Sequence, residues 1–161
     1  MLVTKVDIVD KQTRSRMMSN IRSKNTKAEI AIRKRLFAAG FRYRLYDSRL
    51  PGKPDIVLPR YKTVIFIHGC FWHGHNCPLY KIPTTRMEFW KNKLEGNRKR
   101  DLLNKKKLMK MSWRIVSVYE CSWRLCKIDQ DARFDQISSR VIDFILNGTN
   151  QTLTIQGSGR V

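Results

Sequence analysis

Three segments of the chain carry apolar residues at helical spacing. The first begins at a capping box formed by Thr26 and Glu29 and ends at Gly40, a residue typical of helix C-termini. The second predicts a long helix over roughly 84–110, and the third predicts a helix over 134–147.

Short apolar runs between these helices are typical of strands. Residues 41–46 alternate apolar side chains with polar ones, which predicts a half-buried strand. The runs 55–58, 63–67 and 113–119 are more continuous and rich in β-branched residues, as buried strands are. Because only a short turn separates 55–58 from 63–67, we expect these two strands to form a hairpin. Strands interleaved with helices predict an α/β fold.

The charge balance indicates what the protein binds. The 161 residues include 33 Lys and Arg but only 13 Asp and Glu, for a formal net charge of +20. Such an excess favours a polyanionic partner, with nucleic acid ahead of a membrane surface. No apolar run approaches the ~20 residues of a membrane span, and the N-terminus lacks the apolar region of a signal peptide. We therefore expect a soluble, cytoplasmic protein.

Composition divides the chain into three parts. Residues 1–27 are expected to be a basic arm that contacts DNA, because 11–27 is rich in Lys and Arg and contains no acidic residue. The arm has too few apolar side chains to join a core, so we expect it to become ordered on DNA. Residues 28–148 are expected to form one domain, and 149–161 a polar, loose C-terminal tail.

A cluster of soft ligands follows the apolar run at 63–67. All three histidines and two of the four cysteines fall within this short stretch. Cys70, His75 and Cys77 would supply three metal ligands, and Cys121, at the end of a later strand, would supply the fourth. Cys126 is the alternative fourth ligand. Three thiolates and an imidazole suit Zn²⁺, and a site filled by four protein ligands is structural.

A second candidate site lies where two predicted strands meet. Asp55 opens one strand and His68 closes the next. This layout resembles nucleases that carry Pro-Asp on one strand and (Asp/Glu)-x-Lys on its neighbour, with Phe66 and His68 here at the second acid and the lysine. Mg²⁺ prefers oxygen ligands. One carboxylate, a backbone carbonyl such as that of Ile67, phosphate oxygens and water would complete its shell.

Together these motifs resemble the very-short-patch repair (Vsr) endonucleases. The most specific block is His-Gly-Cys-Phe-Trp-His at 68–73, and the match runs from about residue 10 to 145. Other shared features are Leu-Pro-Gly-Lys-Pro-Asp at 50–55, Pro-x-x-Arg-x-Glu-Phe-Trp at 83–90, Asn97, and the pairs at 100–101, 113–114 and 120–121. The resemblance implies a restriction-endonuclease-like core of the PD-(D/E)xK type. In it, a central mixed sheet is flanked by helices, with one structural zinc site.

The resemblance also implies roles at the candidate nuclease centre. Asp55 would bind a catalytic Mg²⁺ together with the main-chain carbonyl described above. His73 would act as general base on the attacking water, oriented by Glu29. His68 would contact the phosphate or a metal-bound water, and Asp101 would complete the polar network.

Further residues are implied to contact DNA. Phe71, Trp72 and Trp90 would form an aromatic wedge that enters the base stack, and Met18 would enter from the opposite side. The predicted backbone contacts are the basic residues of the arm: Lys11, Arg14, Arg16, Arg22 and Lys24.

The activity implied by the resemblance is hydrolysis of the phosphodiester 5′ of the mismatched T in T·G pairs, which arise when 5-methylcytosine deaminates. The enzyme would act as a monomer on nucleoid DNA, with mismatch-repair proteins and a repair polymerase as partners. Two alternatives stay open from the residues alone. One is a zinc-stabilised DNA-binding module without catalysis, and the other is a related restriction nuclease that cuts both strands.

Overall fold

A five-stranded mixed sheet lies at the centre of the fold. The computed structural model describes residues 10–19 and 24–157. Within them the strands are β1 (Arg44–Leu45), β2 (Ile56–Leu58), β3 (Thr63–His68), β4 (Arg114–Tyr119) and β5 (Thr152–Ile155). The helices are α1 (Lys11–Ser19), α2 (Lys27–Ala38), α3 (Met87–Lys110), α4 (Cys121–Arg124) and α5 (Gln130–Asn147). None of the helices in the described ranges is long and apolar enough to cross a bilayer.

The strands lie in the order β1-β2-β3-β4-β5. The strand β2 is antiparallel to both of its neighbours, β1 and β3, and β2 and β3 form the expected hairpin through a 3-10 turn. By contrast, β4 runs parallel to both β3 and β5. The predicted α/β fold with a mixed central sheet is therefore confirmed.

Helices cover both faces of this sheet. Alternate residues of β2 and β3 point to opposite faces, so Ile56 and Ile65 join one apolar cluster whereas Val57 and Val64 join the other. The first cluster is completed by α2 and α5, and the second includes Leu108 of α3. The result is a three-layer arrangement in which α3 lies apart from α2 and α5.

Local signals explain most helix boundaries. Thr26 is the N-cap of α2, its Oγ1 accepting a hydrogen bond from Glu29 N at 3.3 Å. Gly40, with φ +88°, lies just beyond the helix end, as expected. Two predicted boundaries were too wide. The strand expected at 41–46 is reduced to Arg44–Leu45, and α3 begins only at Met87, without a side-chain cap.

The described parts of both terminal segments contain regular structure. Residues 11–19 form α1, and the Asp10 carboxylate caps this helix by accepting a hydrogen bond from Thr13 N at 2.6 Å. That the arm becomes ordered on DNA stays a prediction. The tail expected to be loose contains β5, which extends the sheet along β4. Arg114 holds the chain that leads into β5 by donating to the carbonyls of Ile145 (3.1 Å) and Gly148 (2.9 Å).

We expect Ile155→Ala to lower the free energy of unfolding by about 3 kcal/mol, because the Ile155 side chain is fully buried between the sheet and its helices. Urea titration of the purified variant measures this. Thr154→Ala is the matched control, since Thr154 lies on the same strand but is exposed, and its effect should stay within about 0.5 kcal/mol. Equal effects of the two substitutions would mean that β5 does not contribute to the core.

Candidate active site and metal centre

The predicted nuclease residues line one cleft beside the end of β3. Its volume is about 740 Å³, and its walls come from α2, the β2–β3 hairpin, the loop after β3 and α3. Asp55, His68 and His73 all line it, together with Glu29 and Asp101. The structure therefore brings together all five residues expected to be catalytic, although their pairing differs from the expectation.

Asp55 directly precedes β2 and faces the end of β3. Its Oδ2 accepts a hydrogen bond from the Ile67 amide at 2.7 Å, which ties the carboxylate to the neighbouring strand. The pKa of Asp55 is raised to about 6, chiefly by burial and also by the charge of the Glu29 carboxylate. The hydrogen bond from Ile67 opposes this shift only in part. A buried carboxylate beside a second one is a favourable position for a cation.

His73 is held by Asp101. The Nδ1 of His73 lies 2.6 Å from Oδ2 of Asp101, so Nδ1–H donates a hydrogen bond to the carboxylate and Nε2 is left as the basic nitrogen. Gly74 allows the loop to approach α3 this closely. Its φ is +56°, and a Cβ there would lie 2.6 Å from Cδ of Arg98.

His68 lies beneath this pair. Its side chain is buried, its ring stacks on Phe66, and its centroid is 4.0 Å from that of His73. Burial lowers the pKa of His68 well below its ordinary value, and the neighbouring charges of His73 and Lys105 lower it further. His68 is therefore a neutral imidazole near neutral pH in the absence of an anion.

The expectation that Glu29 orients His73 is wrong in this structure. The Glu29 carboxylate is buried among its own neighbours: it accepts from Arg33 at 2.5 Å, from the Asn25 amide at 3.0 Å, and from the hydroxyl of Tyr46. The capping box and the salt bridge to Arg33, one helical turn away, occupy both oxygens, so Asp101 takes the place next to the imidazole. Glu29 still lines the cleft.

The four predicted soft ligands form a second site next to the cleft. The ligand atoms of Cys70, His75, Cys77 and Cys121 all lie within 4.8 Å of one another, close enough to hold one metal ion. Cys70 lies just after β3 and Cys121 just after β4. Because these strands are parallel, both residues arrive at the same edge of the sheet. Cys126 is not part of this group, so the fourth position belongs to Cys121.

The groups around this cluster orient its ligands. The Nε2 of His75 lies 2.8 Å from the side-chain oxygen of Gln156, which leaves Nδ1 facing Cys121 Sγ at 3.6 Å. The Gly157 amide donates to Cys121 Sγ at 3.2 Å. Burial raises the pKa of the Cys70 and Cys121 thiols, so a cation is needed to keep them as thiolates. This chemistry fits a bound metal.

Comparison with known proteins identifies the family. Residues 6–79 match the model of the family described as DNA mismatch endonuclease Vsr. A type II nicking enzyme of Neisseria meningitidis serogroup A, V.NmeAIP, is 50% identical over 115 residues, which cover 71% of this chain and 82% of that protein. The chain belongs to the Vsr family. The DNA mismatch endonuclease Vsr of Escherichia coli K12 is 43% identical over 118 residues, covering 73% of this chain and 76% of that enzyme. A type II nicking enzyme of Xanthomonas oryzae, V.XorIIP, is 43% identical over 115 residues, covering 71% and 85%.

The family assignment removes one of the two alternatives that the residues left open. A Vsr-family chain is an endonuclease, so the alternative of a binding module without catalysis is set aside.

The three aromatic residues expected to form a wedge lie together in this Vsr-family chain. The Phe71 ring centroid is 5.1 Å from that of Trp72 and 5.4 Å from that of Trp90, both edge-on. All three side chains are only partly buried. Phe89 adds a fourth ring, 5.4 Å from Trp90 and 46% exposed, which the sequence analysis did not single out. A partly exposed aromatic group beside a nuclease cleft is suited to stacking on bases.

The predicted contacts of the basic arm are only partly visible. Arg16 is exposed on α1, and the Lys24 ammonium lies 5.2 Å from the ring centroid of Tyr46. Arg22 lies outside the described residues, as do the side chains of the other predicted arm contacts: Lys11, Arg14 and Met18. The predictions for these residues therefore remain predictions.

Sequence reasoning missed three residues at or beside the Vsr-family cleft. Lys105 lines the cleft from α3, whereas Arg33 and Tyr46 hold the cleft residue Glu29. Arg33 could have been found from its spacing, since it follows Glu29 by four residues on one helix. Lys105 stands in a run of three lysines, and only the phase of α3 distinguishes it from its neighbours.

We expect the purified protein to carry about one tightly bound metal ion per chain in the cysteine–histidine cluster. Cys121→Ser should lose this ion, because one soft ligand of four is removed and the buried partners remain. Elemental analysis after gel filtration measures the metal content. Cys126→Ser is the matched control and should retain the ion. Loss of metal in Cys126→Ser but not in Cys121→Ser would contradict the assigned ligand set.

We expect Asp55→Asn to stabilise the protein at pH 7.5 when no Mg²⁺ is present. The raised pKa means that ionised Asp55 destabilises the fold above about pH 6, by up to about 3 kcal/mol, and that this penalty is relieved as the pH falls towards 3.8. The variant should therefore exceed the wild type in free energy of unfolding at pH 7.5, by a margin that narrows at pH 5. Urea titrations at both pH values measure it. A margin that is absent at pH 7.5 would show that Asp55 is not desolvated.

Proposed function

We propose that this Vsr-family chain nicks one strand of duplex DNA at T·G mismatches, hydrolysing the phosphodiester 5′ of the mismatched T in a Mg²⁺-dependent reaction. The observation that carries the proposal is the cleft itself, which gathers Asp55, His68 and the His73–Asp101 pair at the end of one strand. The names of the relatives support mismatch-directed nicking, because one is a mismatch endonuclease and others are nicking enzymes.

The proposed Mg²⁺ ligands fit the cleft. Asp55 offers a carboxylate that is desolvated and close to a second carboxylate. The second ligand is the carbonyl oxygen of Ile67. The backbone carbonyl of His68 accepts a hydrogen bond from Glu120 N at 2.9 Å, so the backbone polar groups of His68 point towards β4. Because these groups alternate in direction along a strand, the N–H and C=O of Ile67 point the other way, towards Asp55. A bound Mg²⁺ would supply charge neutralisation at the scissile phosphate.

The protein's own groups support an in-line hydrolysis. His73, whose Nδ1–H donates a hydrogen bond to Asp101, takes a proton from the attacking water at Nε2. The water oxygen bonds to phosphorus as the bond from phosphorus to O3′ breaks. The O3′ atom leaves and takes a proton from solvent, so the products are a 3′-hydroxyl and a 5′-phosphate. His68, neutral and buried beside His73, hydrogen-bonds the phosphate from below.

We propose that the metal in the cysteine–histidine cluster is structural zinc. Three thiolates and one imidazole are a zinc donor set, and four protein ligands leave no open position for catalysis. The ion would join the loop that carries His73 to the start of α4, and so hold the general base in place. The overall arrangement supports a restriction-endonuclease type of core, in which Asp55 and β3 supply the catalytic edge.

The proposed mismatch selectivity rests on deformation of the duplex. Phe71, Trp72 and Trp90 would enter the base stack, with Met18 from the arm on the other side. Unstacking a base step costs a few kcal/mol, and a T·G wobble pair costs less to open than a matched pair. The net charge of +20 would supply the affinity for the phosphate backbone of DNA, through arm residues such as Arg16 and Lys24.

The proposed setting is the cytoplasm, on nucleoid DNA, where 5-methylcytosine deaminates. The residues that the structure describes form one cleft with the proposed catalytic groups, which supports a monomer, since only one strand is cut. The 3′-hydroxyl that the reaction leaves is a substrate for a repair polymerase. This polymerase and mismatch-repair proteins are the proposed partners.

The test uses a duplex with one T·G pair, each strand labelled with a different fluorophore, in Mg²⁺. We expect a single nick in the T strand. Asp55→Asn should reduce the rate by about 1,000-fold while leaving affinity for the duplex intact, because it removes a metal ligand but no surface cation. Denaturing electrophoresis measures the nick, and fluorescence anisotropy measures binding.

Asp143→Asn, an exposed acid on α5, is the matched control and should cut like the wild type. Cutting by Asp55→Asn at the wild-type rate would refute the catalytic assignment. Equal cutting of both strands of a fully paired duplex would favour a restriction nuclease instead.

A further inference from the structure

Lys105 lies in the active-site cleft without an assigned role. It projects from α3 and lines the cleft with Asp55, His68 and His73. Two other lysines, Lys27 and Lys53, also line the cleft, but both are exposed, whereas Lys105 is only partly accessible. Of these three lysines, Lys105 is thus the one that is partly buried in the cleft wall.

A neighbouring cavity places Lys105 close to the His73–Asp101 pair. This cavity, of about 660 Å³, shares His73, Asp101 and Lys105 with the main cleft. Three other cations of α3 line it as well, Lys91, Arg98 and Lys99, and so does Glu95, which pairs with Lys99 at 2.8 Å. Lys105 therefore stands where the catalytic cleft meets a space in which basic side chains outnumber acidic ones, as suits a DNA strand.

The ammonium of Lys105 has no ion-pair partner among the described residues. Asp101, the acid whose charge acts on Lys105, pairs with His73 instead. Burial lowers the pKa of Lys105, and Asp101 opposes that effect only in part. A half-desolvated cation without a counter-ion is costly, and a phosphate oxygen in the cleft would remove that cost.

We propose that the Lys105 ammonium binds a non-bridging oxygen of the scissile phosphate and stabilises the charge that develops there as the water attacks. This inference rests on the proposed nicking reaction. Lys105 transfers no proton: the water proton goes to His73, the bond to O3′ breaks, and Lys105 contributes only its positive charge and its hydrogen bond. Such a preorganised donor acts mainly in the transition state, so it should affect the rate more than the affinity.

The test is single-turnover nicking of a T·G duplex at saturating enzyme, with duplex affinity measured separately in an Asp55→Asn background. Lys105→Met should lower the saturated rate by about 100-fold with little change in affinity. Lys106→Met is the matched control, since Lys106 is the next residue on α3 and is exposed, and its saturated rate should match the wild type. Metal content and thermal unfolding show whether each variant is folded. If Lys105→Met does not fold, the polar variant Lys105→Gln takes its place.

A second arm asks whether the lost group is a cation. Ethylammonium added to Lys105→Ala should restore part of the saturated rate, and it should not speed up Lys106→Ala. An unchanged saturated rate in Lys105→Met, or a loss confined to affinity, would overturn the inference while leaving the proposed function standing. Failure of the wild type to nick the T·G duplex would instead overturn the proposed function.

Discussion

The pairing of β3 on both of its sides is the constraint on which the rest of this structure depends. Against β2 it is antiparallel, which brings Asp55 within hydrogen-bond distance of the Ile67 amide. Against β4 it is parallel, which brings Cys70 and Cys121 to the same edge of the sheet. A shift of one residue in either register would turn the side chains of β3 to the opposite face and separate both sites.

The two sites are connected through one short loop. The chain leaves β3 at His68, supplies Cys70 to the metal cluster, and returns to the cleft at His73. Because the loop enters the cluster again at His75 and Cys77, a metal ion there would restrain His73 on both sides. His73, the proposed general base, would then keep its geometry without depending on DNA. The link also explains why the residues of both functions are interleaved in sequence.

The electrostatics of the molecule divide into a positive surface and a mixed interior. The formal charge of +20 favours a polyanionic partner, but the cleft contains the carboxylates of Glu29, Asp55 and Asp101. Burial and the charge of Glu29 raise the pKa of Asp55 to about 6, so its ionised form is costly at neutral pH, and a bound cation would relieve that cost. Lys105 at the same wall is suited to an anion. A cleft with both features is matched to a phosphate accompanied by a metal ion.

The sequence by itself determined the helices of the core, the hairpin, the soft-ligand group after β3 and the acids of the cleft. These follow from local patterns, since periodicity, caps and ligand chemistry are set by residues close in the chain. Tertiary structure decided the rest. The choice of Cys121 over Cys126 required the parallel pairing of β3 with β4, and the choice of Asp101 over Glu29 as partner of His73 required the position of α3. The strand β5 is polar on its exposed side and gains its order from β4 and from Arg114, contacts that no local pattern records.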